Sequence, residues 1–186
     1  QTCALPISSF MVYGELGRQP IYIKIYKRVI AYWHRLSTHN GVIKLSQLLH
    51  KLARLDSRVN KHDYPWISFI NRLLNNLGLS YILDNPSGCS TPWLVAKVDQ
   101  ILQDQFTQKW REDIMSSPKG VYYQHFKKSL SFEPYLLLNR SISQNLLKFR
   151  TSNHNLPFET GRWSGIPRED RLCPLCNSPA VADRSE

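Results

Sequence analysis

One stretch in the middle of the chain repeats apolar side chains at helical spacing, and it restricts the fold more than any other feature. The repeating residues are Leu94, Val98, Ile101, Leu102, Phe106 and Trp110. Thr91 is a favourable N-cap and Pro92 a favourable first helical residue, whereas Pro118 and Gly120 interrupt the pattern. The spacing predicts a helix over residues 91–115, and with it a mainly α fold.

Five shorter stretches have the same periodicity: 20–36, 42–55, 64–77, 122–130 and 141–150. In the first, Ile21, Ile23 and Ile25 alternate as in a strand, but the apolar spacing continues to Leu36 and favours a helix. Its predicted core face is Tyr22, Ile25, Tyr26, Val29, Trp33 and Leu36. The predicted core face of the second is Leu45, Leu48, Leu49, Leu52 and Leu55.

The remaining segments are predicted to be loops. Residues 84–88 all favour turns, and from Ser152 onward the pattern is broken by prolines and glycines, namely Pro157, Gly161, Gly165 and Pro167. We therefore predict an irregular helical bundle, mainly α, with a loop-rich C-terminal tail.

The size and composition suit one folded domain, or one domain with an appendage. The 186 residues are 42% hydrophobic and include five Trp, nine Tyr and seven Phe, so a core can form, and this composition argues against a disordered chain. No apolar run approaches the roughly 18 residues of a membrane span, which excludes a transmembrane protein.

The net charge of +10 is concentrated in one part of the chain. Residues 18–61 hold ten basic side chains and one acidic one, whereas residues 62–118 hold four basic and six acidic. Residues 119–171 hold nine basic and four acidic. Such segregation indicates an anionic partner, with nucleic acid favoured over a membrane surface, although basicity for solubility alone stays open. The predicted phosphate contacts in the first segment are Lys24, Lys27, Arg28, Arg35, Lys44, Lys51, Arg54 and Arg58.

Two cysteines near the C-terminus have the spacing of a metal-binding turn. Cys173 and Cys176 are separated by two residues, so both thiolates can bind one zinc ion. Zinc needs two further ligands, and residues 177–186 contain no His or Cys. A redox pair, a local disulfide, and completion of the site by His154 and Cys89 remain alternatives.

The sequence contains no catalytic constellation. The acidic pairs Glu112-Asp113 and Glu169-Asp170 are better explained as solvated surface than as ligands of catalytic metals. The chain has neither a glycine-rich phosphate loop nor a nucleophile elbow. We therefore predict that it is not an enzyme.

Both ends of the chain resemble translated sequencing adapters. Residues 1–7 (QTCALPI) match one reading of a common adapter, and residues 184–186 (RSE) match the same adapter family read from the other side. We expect residues 8–183 to be the biological part. The predicted division is a helical domain over 8–151 and a loop-rich segment over 152–183.

Three stretches carry a resemblance to a known family. They are MVYGELGRQP at 11–20 with YWHRL at 32–36; WLV at 93–95 with Gln105, Phe106 and Trp110; and FRTSNHNLPFETGRW at 149–163 followed by CPLC at 173–176. Together they resemble the region that follows the polymerase in the reverse-transcriptase polyprotein of non-LTR (LINE-like) retrotransposons. That region is a helical linker followed by a zinc knuckle. The polymerase and endonuclease motifs of the polyprotein do not occur in this chain.

The resemblance implies a function for this fragment. Cys173 and Cys176 would be the first two zinc ligands of a knuckle, with zinc bound in the intact parent and no cofactor for this fragment alone. The linker would position template RNA or target DNA through its basic helices, and Arg150, Arg162 and Arg168 would approach the nucleic acid near the knuckle. Its other partner would be the upstream reverse-transcriptase domain, and its location intracellular, in the nucleus or the cytoplasm, with no membrane partner. The alternative is a scaffold module that docks on the polymerase thumb, which an exposed apolar patch at residues 8–18 would favour.

Overall fold

The computed structural model describes residues 7–38, 44–154, 156, 160–161, 164–167 and 170–171, and it confirms the mainly α class. Every regular element among these residues is helical. The α-helices are α1 (Ser9–Leu16), α2 (Ile21–Thr38), α3 (Leu45–Val59), α4 (Pro65–Asn76), α5 (Tyr81–Asp84), α6 (Thr91–Ser116), α7 (Gly120–Phe126) and α8 (Arg140–Arg150). Two short 3₁₀ turns lie at Pro86–Gly88 and Pro134–Leu137. No helix in the described ranges is long and apolar enough to cross a membrane.

The chain divides into two compact units. Residues 19–108 form one, which we call the central unit, and residues 1–18 with 109–186 form the other, which we call the terminal unit. The predicted division at residue 151 stays a prediction, because residues 172–186 lie outside the described part of the chain.

The core of the terminal unit forms around α1, although no helix was predicted there. Phe10 and Met11 are buried, and their backbone carbonyls accept hydrogen bonds from Trp110 Nε1 (2.8 Å) and the Tyr123 hydroxyl (3.3 Å). Gly17 ends the helix with a φ of 59°, a left-handed conformation that glycine adopts without strain.

A cluster of four charged side chains lies beside α1 in the terminal unit. Glu15 accepts a hydrogen bond from Arg150 Nε at 3.2 Å and another from the Tyr135 hydroxyl at 2.6 Å. Arg150 Nη2 also lies 3.2 Å from a Glu133 carboxylate oxygen, and Glu133 pairs with Lys127. Two anions therefore balance two cations, as a buried charged cluster requires.

The central unit has its core between α2, α4 and α6. The buried apolar residues of these helices within the unit are Ile23, Ile30, Trp33, Leu36, Ile67, Ile70, Leu73, Leu74, Leu94, Val98, Leu102 and Phe106. The predicted stripe of α6 is thus confirmed, apart from Ile101, which is only partly buried. Gly78 follows α4 with a φ of 68°, a left-handed conformation that glycine adopts without strain at the end of a helix.

The predicted core faces of α2 and α3 need correction. On α2, Ile23 and Ile30 are buried in place of Tyr22 and Ile25, so the buried face is rotated around the helix axis from the predicted one. On α3, all five predicted core leucines are exposed. Residues 84–88 are also more regular than predicted, since they contain the end of α5 and a 3₁₀ turn.

Candidate nucleic-acid interface

Three of the predicted phosphate contacts form a row on α2. Lys24, Arg28 and Arg35 are exposed and separated by four and seven residues, so they share one face of the helix. Ile30 and Trp33 are buried on other sides of the same helix. The row extends about 16 Å at the rise of an α-helix. We refer to these three residues as the α2 row.

Lys27 lies off this row and is paired within the central unit. Its Nζ is 2.6 Å from a carboxylate oxygen of Asp99, and both side chains are partly buried. The hydrogen bond from Lys27 lowers the pKa of Asp99, so the carboxylate is ionised at neutral pH. The charge of Lys27 is therefore largely neutralised inside the unit.

The basic residues of α3 fall into two groups. Lys44, Lys51 and Arg58 are exposed and recur every seven residues, whereas Arg54 points toward α5 and donates to the Leu83 carbonyl oxygen at 2.9 Å. Burial, and then the charge of Arg58, lower the pKa of Arg54. Arg58 lies 3.9 Å from Asp84, but both side chains are mostly exposed, so this pair contributes little.

A groove joins the end of α2 to the start of α3. Arg35 and Lys44 line it together with Tyr32, Thr38 and Ser46, and its volume is about 560 Å³. It thus brings together two cations, three hydroxyl groups and the half-exposed ring of Tyr32, which packs in a T-shaped arrangement with Trp66, ring centroids 6.1 Å apart. Cations and hydroxyls bind phosphate oxygens, and an exposed ring can stack on a base.

Tyr32 was not singled out from the sequence as a stacking residue. The aromatic residues of the predicted core face are Tyr22, Tyr26 and Trp33. Of these, Trp33 is buried and Tyr26 packs edge-on against Phe69, with ring centroids 5.8 Å apart. Tyr32 lies four residues after Arg28, which is the spacing that would have placed its ring beside the α2 row.

The remaining predicted site residues belong to the terminal unit or lie outside the described residues. Arg150 belongs to the terminal unit, where its side chain is 15% exposed and pairs with Glu15 and Glu133. Arg162, Arg168, Cys173 and Cys176 lie outside the residues that the structure describes.

The upstream residues considered for zinc have other contacts. His154 stacks on Phe149 with ring centroids 5.4 Å apart, and Cys89 lies 3.6 Å from His34. Among the described residues, no three His, Cys, Asp or Glu side chains are grouped as a metal site would require.

Cys89 and His34 have the residue types of a nucleophile and base, but not the arrangement. His34 Nε2 lies 2.8 Å from the Pro86 carbonyl oxygen, which can only accept, so this nitrogen carries the proton. His34 Nδ1 accepts from the Thr91 hydroxyl at 2.8 Å. The ring nitrogen near Cys89 therefore has no lone pair free to take the thiol proton, and burial raises the pKa of Cys89. The contacts of His34 bind α2 to the turn before α6.

No protein-family profile, curated protein or solved structure matches the chain. The fold and the site define its class: a mainly α protein with an exposed basic face on the α2–α3 pair of its central unit.

Proposed function

We propose that the central unit binds RNA or DNA without sequence specificity, through the α2 row and the groove between Arg35 and Lys44. One observation carries the proposal: three cations are aligned on the exposed face of α2 and continue into a groove that contains a fourth. Contacts of this kind fix the position of a nucleic acid through its phosphates and do not read its bases.

The electrostatics of the unit support this proposal. Lys24, Arg28 and Lys44 form no ion pair with any residue in the described ranges, and Arg35 donates through Nε only to the carbonyl oxygen of Ala31. Unpaired cations in a row attract a polyanion strongly, because its binding releases condensed counterions. Lys27 and Arg54 have internal partners, so we leave them out of the proposed surface, as we do Arg150.

The resemblance of the sequence gives this binding a biological setting. We infer a non-catalytic fragment of a retrotransposon reverse-transcriptase polyprotein that positions template RNA or target DNA for the upstream polymerase domain. In the intact parent, Cys173 and Cys176 would contribute to a zinc knuckle. The nucleotide sequence that flanks the fragment tests this setting: an upstream polymerase motif and a downstream His and Cys are expected.

The alternative of docking on the polymerase thumb would gain support from an apolar patch at residues 8–18. Phe10 and Met11 of that segment are buried in the terminal unit, and the apolar side chains left exposed on α1 are Val12 and Leu16. The segment thus provides little of the expected patch, and nucleic-acid binding is the better supported function.

The test is the salt dependence of binding by the full chain. Fluorescence anisotropy with a labelled single-stranded RNA of about 16 nucleotides gives Kd at several salt concentrations between about 50 and 200 mM. The triple variant Lys24→Gln, Arg28→Gln, Arg35→Gln removes three phosphate contacts. The slope of the logarithm of the association constant against the logarithm of the salt concentration should decrease in magnitude by about 2.

The matched control removes the same charge elsewhere. Arg72, Lys97 and Lys128 are exposed and lie off the α2 row, so their replacement by Gln should change the slope far less. Equal slopes for the two triple variants would mean that net charge, not the α2 row, drives binding. No binding at low salt by a chain of full helicity would reject the proposed function.

A further inference from the structure

Helix α3 packs with its polar face inward and its apolar face outward, the reverse of an ordinary amphipathic helix. Gln47 and His50 are buried, and Arg54 and Ser57, on the same face, are partly buried. The other face is apolar and exposed. Its residues, with the exposed fraction of each, are Leu45 (70%), Leu48 (45%), Leu49 (57%), Leu52 (52%), Leu55 (58%) and Val59 (75%). We call these six residues the α3 stripe.

The polar face of α3 is held by specific contacts, so the helix is not free to turn its leucines inward without losing them. His50 Nε2 lies 3.3 Å from the Ser37 hydroxyl of α2, and Arg54 donates to the Leu83 carbonyl oxygen. Gln47 is buried on the same face, and it accepts a hydrogen bond from the Lys44 backbone amide at 2.9 Å, a local contact that caps the start of the helix. The stripe is therefore an exposed apolar surface of a kind that marks a binding site in soluble proteins.

The spacing within the stripe indicates the shape of its partner. Five of its residues, Leu45, Leu48, Leu52, Leu55 and Val59, alternate steps of three and four. This is the a/d pattern with which one helix packs against another in a coiled coil. The stripe covers two heptads, fewer than the three or four of a self-standing coiled coil, but α3 is already held as a helix by the contacts of its polar face.

The charges beside the stripe indicate the chemistry of that partner. Lys44, Lys51 and Arg58 each immediately precede an a position, so they occupy the g positions that pair with charges on the facing helix. All three are basic and exposed. A partner helix with Glu or Asp at its flanking positions would place opposite charges against this row.

We propose that the α3 stripe is a docking site for an acidic amphipathic helix of another protein. A second copy of this chain is a poorer fit, because it would bring together two segments that each hold ten basic residues and one acidic one. An anionic membrane is also a poorer fit, because Asp56 borders the stripe on the side away from the lysines. Hydrogen bonds from Tyr64, Asn60 and His62 lower the pKa of Asp56 to about 2, so it is charged.

The test uses the full chain and a designed probe peptide. The probe is a labelled helix about three heptads long, with Leu at a and d, Glu at e to face the basic g row in a parallel pair, and uncharged Gln at g to face Asp56. Controls are a scrambled peptide of the same composition and a peptide with Lys in place of Glu. We expect one-to-one binding of the acidic peptide only. The variant Leu48→Gln, Leu52→Gln should weaken it by about 100-fold, because it removes two leucines from the contact.

Two further variants separate the stripe from general effects. Leu137 and Leu138 are exposed leucines of the terminal unit, and Leu137→Gln, Leu138→Gln should leave the Kd unchanged. The variant Lys51→Glu, Arg58→Glu should bind the lysine peptide more tightly than the acidic peptide, the reverse of the unmodified chain. Circular dichroism establishes that each variant retains its helix content.

Four results would overturn the proposal. One is the absence of binding to the acidic peptide by a fully helical chain, and another is equal binding of the scrambled peptide. A concentration-dependent dimer in sedimentation that Leu48→Gln, Leu52→Gln abolishes would assign the stripe to a second copy. Binding to phosphatidylserine vesicles, with the same dependence on Leu48 and Leu52 and no peptide binding, would assign it to a membrane.

Discussion

The four-residue charge cluster of the terminal unit allows a stability prediction to be worked out from geometry. Glu15, Glu133, Lys127 and Arg150 sum to zero charge, and the Glu15 side chain is only 2% exposed. A buried ion that loses its partner keeps its desolvation penalty without the compensating attraction. The prediction is that replacing Glu15 and Arg150 together lowers the free energy of unfolding by much less than the sum of the two single replacements.

The magnitude follows from what each replacement leaves behind. Glu15→Gln preserves the shape and leaves Arg150 with Glu133 as its remaining anion, so we expect a loss of about 3 kcal/mol. Arg150→Met leaves the Glu15 carboxylate buried with the hydroxyls of Tyr135 and Tyr123 as donors in place of a cation, and we expect about 4 kcal/mol. The double variant should cost no more than Arg150→Met alone. The coupling energy is then about 3 kcal/mol.

The assay is a double-mutant cycle from urea unfolding, followed by circular dichroism. Lys109 and Asp113 provide a matched pair in the same unit: they are 3.3 Å apart, four residues apart on α6, and largely exposed. Their coupling should not exceed about 0.5 kcal/mol. If the Glu15–Arg150 coupling is equally small, the buried cluster does not stabilise the unit through paired charges, and the argument from desolvation is refuted.

Three more predictions concern packing and pH. Gly120→Ala would place a Cβ 1.7 Å from the Ile114 carbonyl oxygen, so urea unfolding should report a loss of at least about 3 kcal/mol. Leu94→Ala, at a fully buried position, should also cost about 3 kcal/mol in the same assay. Burial, and then the charge of Arg54, lower the pKa of His50 below its ordinary 6.5, so protons bind the unfolded chain more readily. Stability should therefore fall as the pH decreases below 6.5, and His50→Gln should remove that part of the pH dependence measured by urea unfolding.

The existence of the longer helices could be predicted because their signals are local. The predicted helix over 91–115 corresponds to α6 (Thr91–Ser116), and the one over 64–77 corresponds to α4 (Pro65–Asn76). A proline in the first turn and a breaking residue after the last turn act close to the helix ends that they set, whereas the predicted N-cap Thr91 lies inside α6, where its hydroxyl contacts His34. Helix α1 was not predicted, because its eight residues give too little periodicity and its formation depends on packing against distant residues such as Trp110 and Tyr123.

The candidate site could be predicted only where exposure follows from spacing. Lys24, Arg28 and Arg35 are exposed on one face because the helix period places them there. Lys27 and Arg150 have the same side-chain chemistry as that row, but their partners are far away in sequence. Asp99 is 72 residues from Lys27, and Glu15 is 135 residues from Arg150. A single sequence has no local signal for such pairs.

Helix α3 marks the limit of what an apolar pattern can predict. The pattern correctly identifies which residues of α3 share a face, but it does not identify the surface that covers that face. The contacts of His50 and Arg54 keep the polar side of α3 against the rest of the central unit, so only a binding partner can bury the leucines. The central unit therefore carries two different kinds of binding surface. The α2 row would bind nucleic acid through charge alone, whereas the α3 stripe would bind an acidic helix through charge and apolar spacing together. Neutralising the α2 row should consequently change the salt slope of RNA binding while leaving the affinity for the acidic peptide intact, and Leu48→Gln, Leu52→Gln should do the reverse.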